Sequence, residues 1–311
     1  MAEETTTLFD DVVQARLRRP KLATEVAANR KRRPFVSPDG RLFIVAADFA
    51  GRGIIGAGRD PLALARRGVM LERLVAALEV DSVDGVLGTA DVLDDLYFVE
   101  GIRRERGLTS ILDDRLLIGS VNRGGVLGTE YEMDDTDTGH SVAGAIERGL
   151  DATKVMIRLD PHDTGSGRTL TRAAETVRAS AARNFPIMVE IFPVRHEGAK
   201  YATVVDPLEL ARCAVVASAL GDDTTSTWLK VPYCNDFAVV ASSTTLPITI
   251  LGGDSSSAGN MADTVSAALA AGSNVRGAVV GRRSLFPPDD DVTAACTNVG
   301  NVVHPLTSVG K

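Results

Sequence analysis

Between Leu42 and Val302 the sequence alternates short apolar runs with segments whose apolar residues recur at helical spacing, eight times over. No other feature narrows the possible folds so far. The runs are Leu42–Ala47, Gly85–Leu87, Leu116–Val121, Thr153–Leu159, Ile187–Phe192, Trp228–Val231, Ile248–Leu251 and Gly277–Val280. The helical segments between and after them are Pro61–Leu78, Asp91–Arg106, His140–Arg148, Leu170–Arg183, Pro207–Ala219, Phe237–Ser242, Met261–Ala271 and Val292–Val302. Runs this short and this continuously apolar suit parallel strands covered on both faces. Eight such units predict an α/β fold, a closed (β/α)8 TIM barrel. A doubly wound open sheet is the alternative, and it wants GxGxxG after its first strand. The stretch Gly51-Arg52-Gly53-Ile54-Ile55-Gly56 fits that pattern poorly. Asp48 precedes it, several residues separate it from the next helix, and no acidic residue clearly ends the second strand.

Ahead of the barrel, Leu8, Val12, Val13, Leu17, Leu22 and Val26 follow helical spacing, broken at Pro20. Residues 1–40 are therefore expected to be a helical extension and connector, and 41–311 the barrel catalytic domain. The basic run Arg30-Lys31-Arg32-Arg33 reads as a solvated helix end.

Composition excludes several classes of function. A net charge of −7 argues against a nucleic-acid surface. Cys213, Cys234 and Cys296 are far apart and fit free thiols in a reducing cytoplasm. Cys234 lies close after Lys230, with packing as its expected role. The four histidines form no HxH or HExxH, so no metal or other cofactor is expected. The acidic amino terminus is no signal peptide, and no apolar run approaches a membrane span. The pairs Val215-Val216 and Val239-Val240 suit either an interface or helix-to-barrel packing.

In such a barrel the chemistry sits at the carboxyl ends of the strands. Polar groups recur there: Asp48 after the first run, Asn122 and Arg123 after the third, Asp160 and His162 after the fourth, Glu190 within the fifth, Lys230 and Tyr233 at the sixth. Lys230 stands inside the apolar stretch Trp228-Leu229-Lys230-Val231-Pro232-Tyr233. Burial disfavours the charged amine, and a neutral amine attacks carbonyls. Lys154 is a second lysine near the centre, placed to repel the charge on Lys230 if it points inward; alternation leaves its direction open. Glu190 suits either a hydrogen bond to amine and substrate or an ion pair with Lys154 or Lys230. Gly252, Gly253 and Ser255 after the seventh run, with Gly281 and Arg282 after the eighth, lie where barrels hold phosphate. Glycine lets backbone N–H groups approach an anion, and arginine binds it bidentately.

These residues carry a family resemblance. The stretches WLKVPY at Trp228–Tyr233, GAVVGRRSLF at Gly277–Phe286 and PIMVEIFP at Pro186–Pro193 resemble the metal-independent class I aldolases of the DeoC/FbaB/LacD superfamily. So do Ala47-Asp48 with its Gly-rich loop, Leu117–Asn122, Gly139–Lys154 and Ile250–Gly253. The pattern is similar to archaeal-type fructose-bisphosphate aldolase and, more narrowly, to an actinobacterial branch of aldolase-like barrels. The resemblance implies a Schiff-base role for Lys230 and proton handling by Asp48. It also implies phosphate contacts at Gly252, Gly253, Gly281 and Arg282, and a homo-oligomer. The archaeal-type enzymes carry a tyrosine acid/base on strand four; here that place reads Asp160-Pro161-His162-Asp163, which passes the role to Asp160, His162 or Tyr233. The expected activity is a metal-independent class I aldolase, a carbon–carbon lyase acting on a phosphorylated sugar or keto-sugar. A phosphosugar isomerase or epimerase, or a sugar-phosphate-binding protein without turnover, are the competing readings.

Overall fold

Hydrogen bonding closes the eight predicted runs into a ring. In the computed structural model, residues 7–305 are described except 59, 130, 131, 134, 135, 199 and 254–258. The strands are β1 (Leu42–Ala46), β2 (Gly85–Gly88), β3 (Leu116–Ser120), β4 (Ala152–Leu159), β5 (Ile187–Glu197), β6 (Lys200–Thr203), β7 (Thr227–Pro232), β8 (Ile248–Leu251) and β9 (Val275–Val280). All but β6 pair in parallel around the circle β1-β2-β3-β4-β5-β7-β8-β9, and β9 returns to β1. This is a (β/α)8 TIM barrel. The open-sheet alternative is excluded, and Gly51–Gly56 opens no α-helix. A 3-10 turn, Phe49–Arg52, ends at Gly53 with φ 79°.

The outer layer contains α3 (Arg67–Leu78), α4 (Ala90–Glu105), α5 (Val142–Glu147), α6 (Gly165–Ala181), α7 (Pro207–Ser218), α8 (Ala238–Ala241), α9 (Met261–Ala271), α10 (Arg282–Leu285) and α11 (Val292–Val303). Before the barrel come α1 (Leu8–Arg18) and α2 (Leu22–Asn29), which pack on α3 and α4 and bury Val12, Ala15, Ala23 and Val26. Val240 is buried, whereas Val215 and Val239 face outward.

Alternation along each strand makes two apolar regions. One face packs under the helices. The other fills the barrel with Leu42, Ile44, Leu116, Ile118, Ala152, Met188, Trp228 and Val279. Phe35, from the connector, meets Trp228 edge-on at 5.7 Å. These side chains form the floor. Period-two geometry then decides what stands above them. Lys154 shares the inward parity of Ala152, Glu190 that of Met188, and Lys230 that of Trp228, so all three enter the barrel above an apolar base.

Three expectations need correcting. The helix predicted from Pro61 starts at Arg67, because Asp60 accepts the Leu62 N–H at 2.9 Å and holds a turn ahead of it. The fifth run does not stop at Phe192. It continues to Glu197 and folds back antiparallel through β6, a hairpin rising over the barrel mouth. The basic run is only partly a solvated helix end: Lys31 and Arg32 are exposed, whereas Arg30 is buried and Arg33 largely so. Arg30 is fully buried and reaches Asp151 at 2.7 Å, Arg32 meets the other oxygen of Asp151 at 2.8 Å, and Arg33 meets Asp84 at 2.5 Å. Asp151 also accepts the Leu117 N–H at 2.9 Å, and Asp84 that of Phe43 at 2.7 Å. The three arginines are thus clamps tying the connector to the strand starts. Breaking one buried pair costs about 3–5 kcal/mol, since the partner charge stays buried.

Asp84 has a further partner. His304, capping α11, reaches it through Nε2 at 2.9 Å and Asp39 through Nδ1 at 2.6 Å. Burial pulls the imidazole pKa down, but the two carboxylates outweigh it and raise it above the ordinary histidine value. A raised folded pKa stabilises fully below the unfolded value of about 6.5, and that stabilisation fades as pH climbs through the folded value. The His304→Asn variant should therefore melt well below the wild type at pH 6. The gap should narrow on going to alkaline pH, as measured by thermal denaturation across the series.

Candidate active site

The strand register builds the site. Glu190 and Lys230 are paired positions on β5 and β7, and Ser120 pairs with Lys154 on β3 and β4. Asp48 follows the end of β1. The four ionisable groups form one chain of ion pairs across the barrel. Lys230 Nζ lies 2.6 Å from Glu190 Oε1. Glu190 Oε2 lies 3.0 Å from Lys154 Nζ, and Lys154 Nζ lies 2.7 Å from Asp48 Oδ2. All four side chains are at most 11% exposed.

Sequence reasoning left the direction of Lys154 open; it points inward, and the two carboxylates answer for its charge. Burial lowers the Lys154 pKa, but Asp48 and Glu190 outweigh burial and hold it above the usual lysine range. Burial pushes the Asp48 carboxyl up, yet the charges of Lys154 and Lys230 prevail and bring it down to about 2. Lys154 is therefore a fixed cation and Asp48 a fixed anion. Lys230 has Glu190 as its single ion-pair partner among the described residues. The ion pair offered for Glu190 with Lys154 or Lys230 is made with both, so Lys230 has a carboxylate within proton-transfer reach.

Ser120 Oγ donates to the Asn122 carbonyl at 2.7 Å and lies 3.3 Å from Asp48 Oδ2. The Asn122 amide exchanges two hydrogen bonds with the Met156 backbone, at 2.8 and 2.7 Å, fixing the end of β3 against β4.

The strand-four candidates do not join this chain. Asp160 spends one oxygen on the His162 N–H at 3.0 Å and the other on the His196 N–H at 3.1 Å, so it ties the β5–β6 hairpin to β4. His162 is exposed. Tyr233 has outward parity. Its ring lies 5.5 Å from that of Phe237, beside a cavity of about 350 Å³ lined by Val205, Pro207, Cys234, Asn235 and Asp236. Burial pushes the Cys234 thiol up to about 11, in keeping with packing.

Gly252 and Gly281 follow the ends of the paired strands β8 and β9, and Gly253 has φ 67°. A Cβ on Gly252 would stand 2.7 Å from Val280, and one on Gly281 3.0 Å from the Ala46 carbonyl oxygen. Packing therefore demands glycine at Gly252 and leaves little room for a side chain at Gly281. Arg282 begins α10 beside them. Ser255 lies outside the described residues.

Three groups had no sequence signal strong enough to single them out. Arg158 continues the inward series Lys154, Met156 on β4, Arg52 ends the turn after Asp48, and Glu132 comes from the long loop after β3. Period-two counting anchored on Lys154 would have found Arg158; nothing local marks Glu132.

The family model of the Cgl0159-like proteins matches residues 40–300. The chain belongs to the Cgl0159-like family. It is similar to the crystal structure of Cgl0159 from Corynebacterium glutamicum, with 36% identity, TM-score 0.89, and coverage of 96% of this chain and 97% of that one. An archaeal fructose 1,6-bisphosphate aldolase shares its fold at 19% identity and TM-score 0.62, over 90% of this chain and 98% of that one. So does a fructose-1,6-bisphosphate aldolase described as Schiff base forming, at 21% identity and TM-score 0.64, over 91% of this chain and the whole of that one. No curated protein matches the sequence. Among the described residues, no helix is long and apolar enough to cross a membrane.

The ion-pair chain makes a direct prediction. Lys154→Met strands Asp48 as a buried anion, and should lower stability by about 3–5 kcal/mol, read from the urea midpoint. Adding Asp48→Asn should recover part of that loss, since the two changes are coupled.

Proposed function

We propose that this Cgl0159-like protein is a class I aldolase acting on a phosphorylated keto-sugar through Lys230. The observation that carries the reading is the difference between its two interior lysines. Lys154 is held as a cation between two carboxylates, whereas Lys230 Nζ meets a single carboxylate, Glu190, at 2.6 Å. Solved structures of the same fold include the Schiff-base-forming aldolase named above, which supports the reading.

Each step can be written on these side chains. Glu190 removes a proton from Lys230, and the freed lone pair bonds the substrate's carbonyl carbon. Two protons, one from the nitrogen and one through Glu190, leave with the carbonyl oxygen as water, and a protonated imine remains. That cation is an electron sink. A carboxylate, Glu190 in our assignment, takes the proton of the hydroxyl on the far carbon of the bond to be broken. The carbon–carbon pair flows into the imine, an aldehyde departs and an enamine is left. Protonation at carbon and hydrolysis release the second fragment and restore the amine.

Asp48, held near 2, is a weak base. Its part is to anchor Lys154, whose charge steadies Glu190 and oxyanions formed beside it. The turns Gly252-Gly253 and Gly281-Arg282 are assigned to the substrate phosphate, whose grip fixes the carbonyl over the amine. Asp160, bound to two backbone N–H groups, is assigned to positioning the hairpin rather than to moving protons.

Borohydride reduction in the presence of dihydroxyacetone phosphate, followed by peptide mass spectrometry, tests the proposal. Label is expected on Lys230 and lost in Lys230→Met, while Glu190→Gln should slow turnover by roughly 100-fold or more. Turnover of a ketose phosphate without any lysine label would replace the aldolase with an isomerase or epimerase. Binding with neither label nor turnover would leave a sugar-phosphate-binding protein.

A further inference from the structure

Inside the barrel a thioether is held against a guanidinium. Met156 Sδ lies 3.2 Å from Arg52 Nη1. Sulfur is a weak acceptor, and a buried guanidinium ordinarily finds oxygen for its donors. The carboxylate beside Arg52 is already committed. Arg52 Nη2 meets Glu132 Oε1 at 3.0 Å, Arg158 Nη1 binds the same oxygen, and the other oxygen of Glu132 accepts the Gly128 N–H at 3.2 Å. Arg52 is thus fixed by one arm and presents the other to sulfur. The sulfur is fixed as well. Asn122 grips the Met156 backbone on both sides, through its N–H and its carbonyl. A Cβ on Gly124, where φ is 69°, would stand 2.0 Å from Met156 Sδ and 3.0 Å from Arg52 Nη1, so the thioether fits there only against glycine.

The other described methionines have a different setting. Met70, Met188 and Met261 belong to the apolar clusters. Met133 and Met156 lie outside them. Met133 stands on the loop after β3 and rests on α6, where its carbonyl accepts the Thr169 hydroxyl at 3.1 Å. Met156 shares the inward parity of Lys154 and stands above the filled floor. Its remaining exposure, 8%, therefore opens into the barrel. Register sets it level with the amine: Met156 pairs with Glu190 on β5, and Glu190 with Lys230 on β7. Two strand spacings, roughly 10 Å, separate the Met156 and Lys230 backbones around the ring.

We propose that Met156 is a peroxide-reactive modification site whose sulfoxide oxygen is received by Arg52. The oxidant is a hydroperoxide small enough to enter the barrel, hydrogen peroxide in the simplest case. The sulfur lone pair attacks one peroxide oxygen, the O–O bond breaks, and the proton on the transferred oxygen passes to the departing hydroxide. One thioether and one hydrogen peroxide give one sulfoxide and one water; sulfur loses two electrons and the peroxide gains them. The product converts a weak acceptor into a strong one, facing a charged donor already in place. A methionine oxidised within an ordinary apolar core disrupts its packing and buries a polar group without a partner. This one gains a partner. The added oxygen also narrows and polarises the chamber at the level of Lys230, so oxidation switches turnover off. That last consequence rests on the aldolase reading; the modification itself does not.

Three readouts keep those failures apart. The first is peptide mass spectrometry of the intact, folded protein after graded exposure to hydrogen peroxide, with the excess removed by catalase before digestion. Met156 should convert to sulfoxide at least tenfold faster than Met70, Met188 and Met261; conversion no faster than theirs overturns the site. The second is melting temperature, which separates reception by Arg52 from plain damage. Oxidised wild type should melt close to the reduced protein, whereas oxidised Arg52→Leu should melt several degrees below its own reduced form. Should Arg52→Leu not fold, Arg52→Lys replaces it, since a lysine is too short to hold both Glu132 and the new oxygen, and the same fall is expected. An equal change in wild type and variant overturns the part given to Arg52. The third is turnover of a ketose phosphate before and after exposure. Wild type should lose at least tenfold in kcat/KM in step with Met156 conversion, while Met156→Leu should keep its own untreated value through the same exposure. Equal inactivation of Met156→Leu overturns the switch. A reduced protein that turns over no ketose phosphate counts against the aldolase reading, and the mass and melting readouts then decide the modification site by themselves.

Discussion

Putting charge inside a closed barrel is the constraint that the rest of this structure answers. An isolated ammonium or carboxylate loses far too much solvation there to persist. The chain Asp48–Lys154–Glu190–Lys230 meets that cost by alternating sign, so each interior charge touches an opposite one. The alternation has a direction. At one end Lys154 is boxed by two carboxylates and stays a cation. At the other, Lys230 leans on one carboxylate. Glu190 touches both lysines and so links the two ends of the row.

Everything below that row serves to keep it dry and in register. Trp228, Met188, Ala152 and Leu42 fill the barrel, Phe35 covers Trp228, and Arg30, Arg32 and Arg33 bind the carboxylates from which the Phe43 and Leu117 N–H groups hang. The connector is therefore joined to the strand starts electrostatically and closes the floor sterically. Above the row, the design is looser. Loops carry Arg52 and Glu132 toward Arg158, and Asp160 holds the hairpin through backbone N–H groups.

The architecture could be read from the sequence because it is periodic. Apolar runs and helical spacing repeat, and each repeat reports on the next. Lys230 and Glu190 were legible for a related reason: a charged residue within an apolar run is conspicuous, and inward parity is shared with Trp228 and Met188. Asp48 was legible from its place at a strand end. Residues whose partners are distant in sequence were not. The basic run looked solvated because its counter-charges, Asp84 and Asp151, lie 51 and 119 to 121 positions away. Asp160 looked catalytic because it follows a strand, and its two backbone partners, one of them on a hairpin the sequence did not suggest, were invisible. Tyr233 is the simplest case. It is an odd number of residues from Lys230, so the pleat turns it to the other side of the wall.

The floor has a consequence for how the molecule can be watched. The chain has a single tryptophan, and it is the residue that Phe35 covers. Trp228 is also two residues before Lys230, on the same strand and the same face. Indole emission from this protein is therefore a local signal. It reports whether the amino-terminal segment is seated under the barrel, and it originates one pleat beneath the amine. An intrinsic probe thus stands at the junction between the plug and the ion-pair row, readable without any added label.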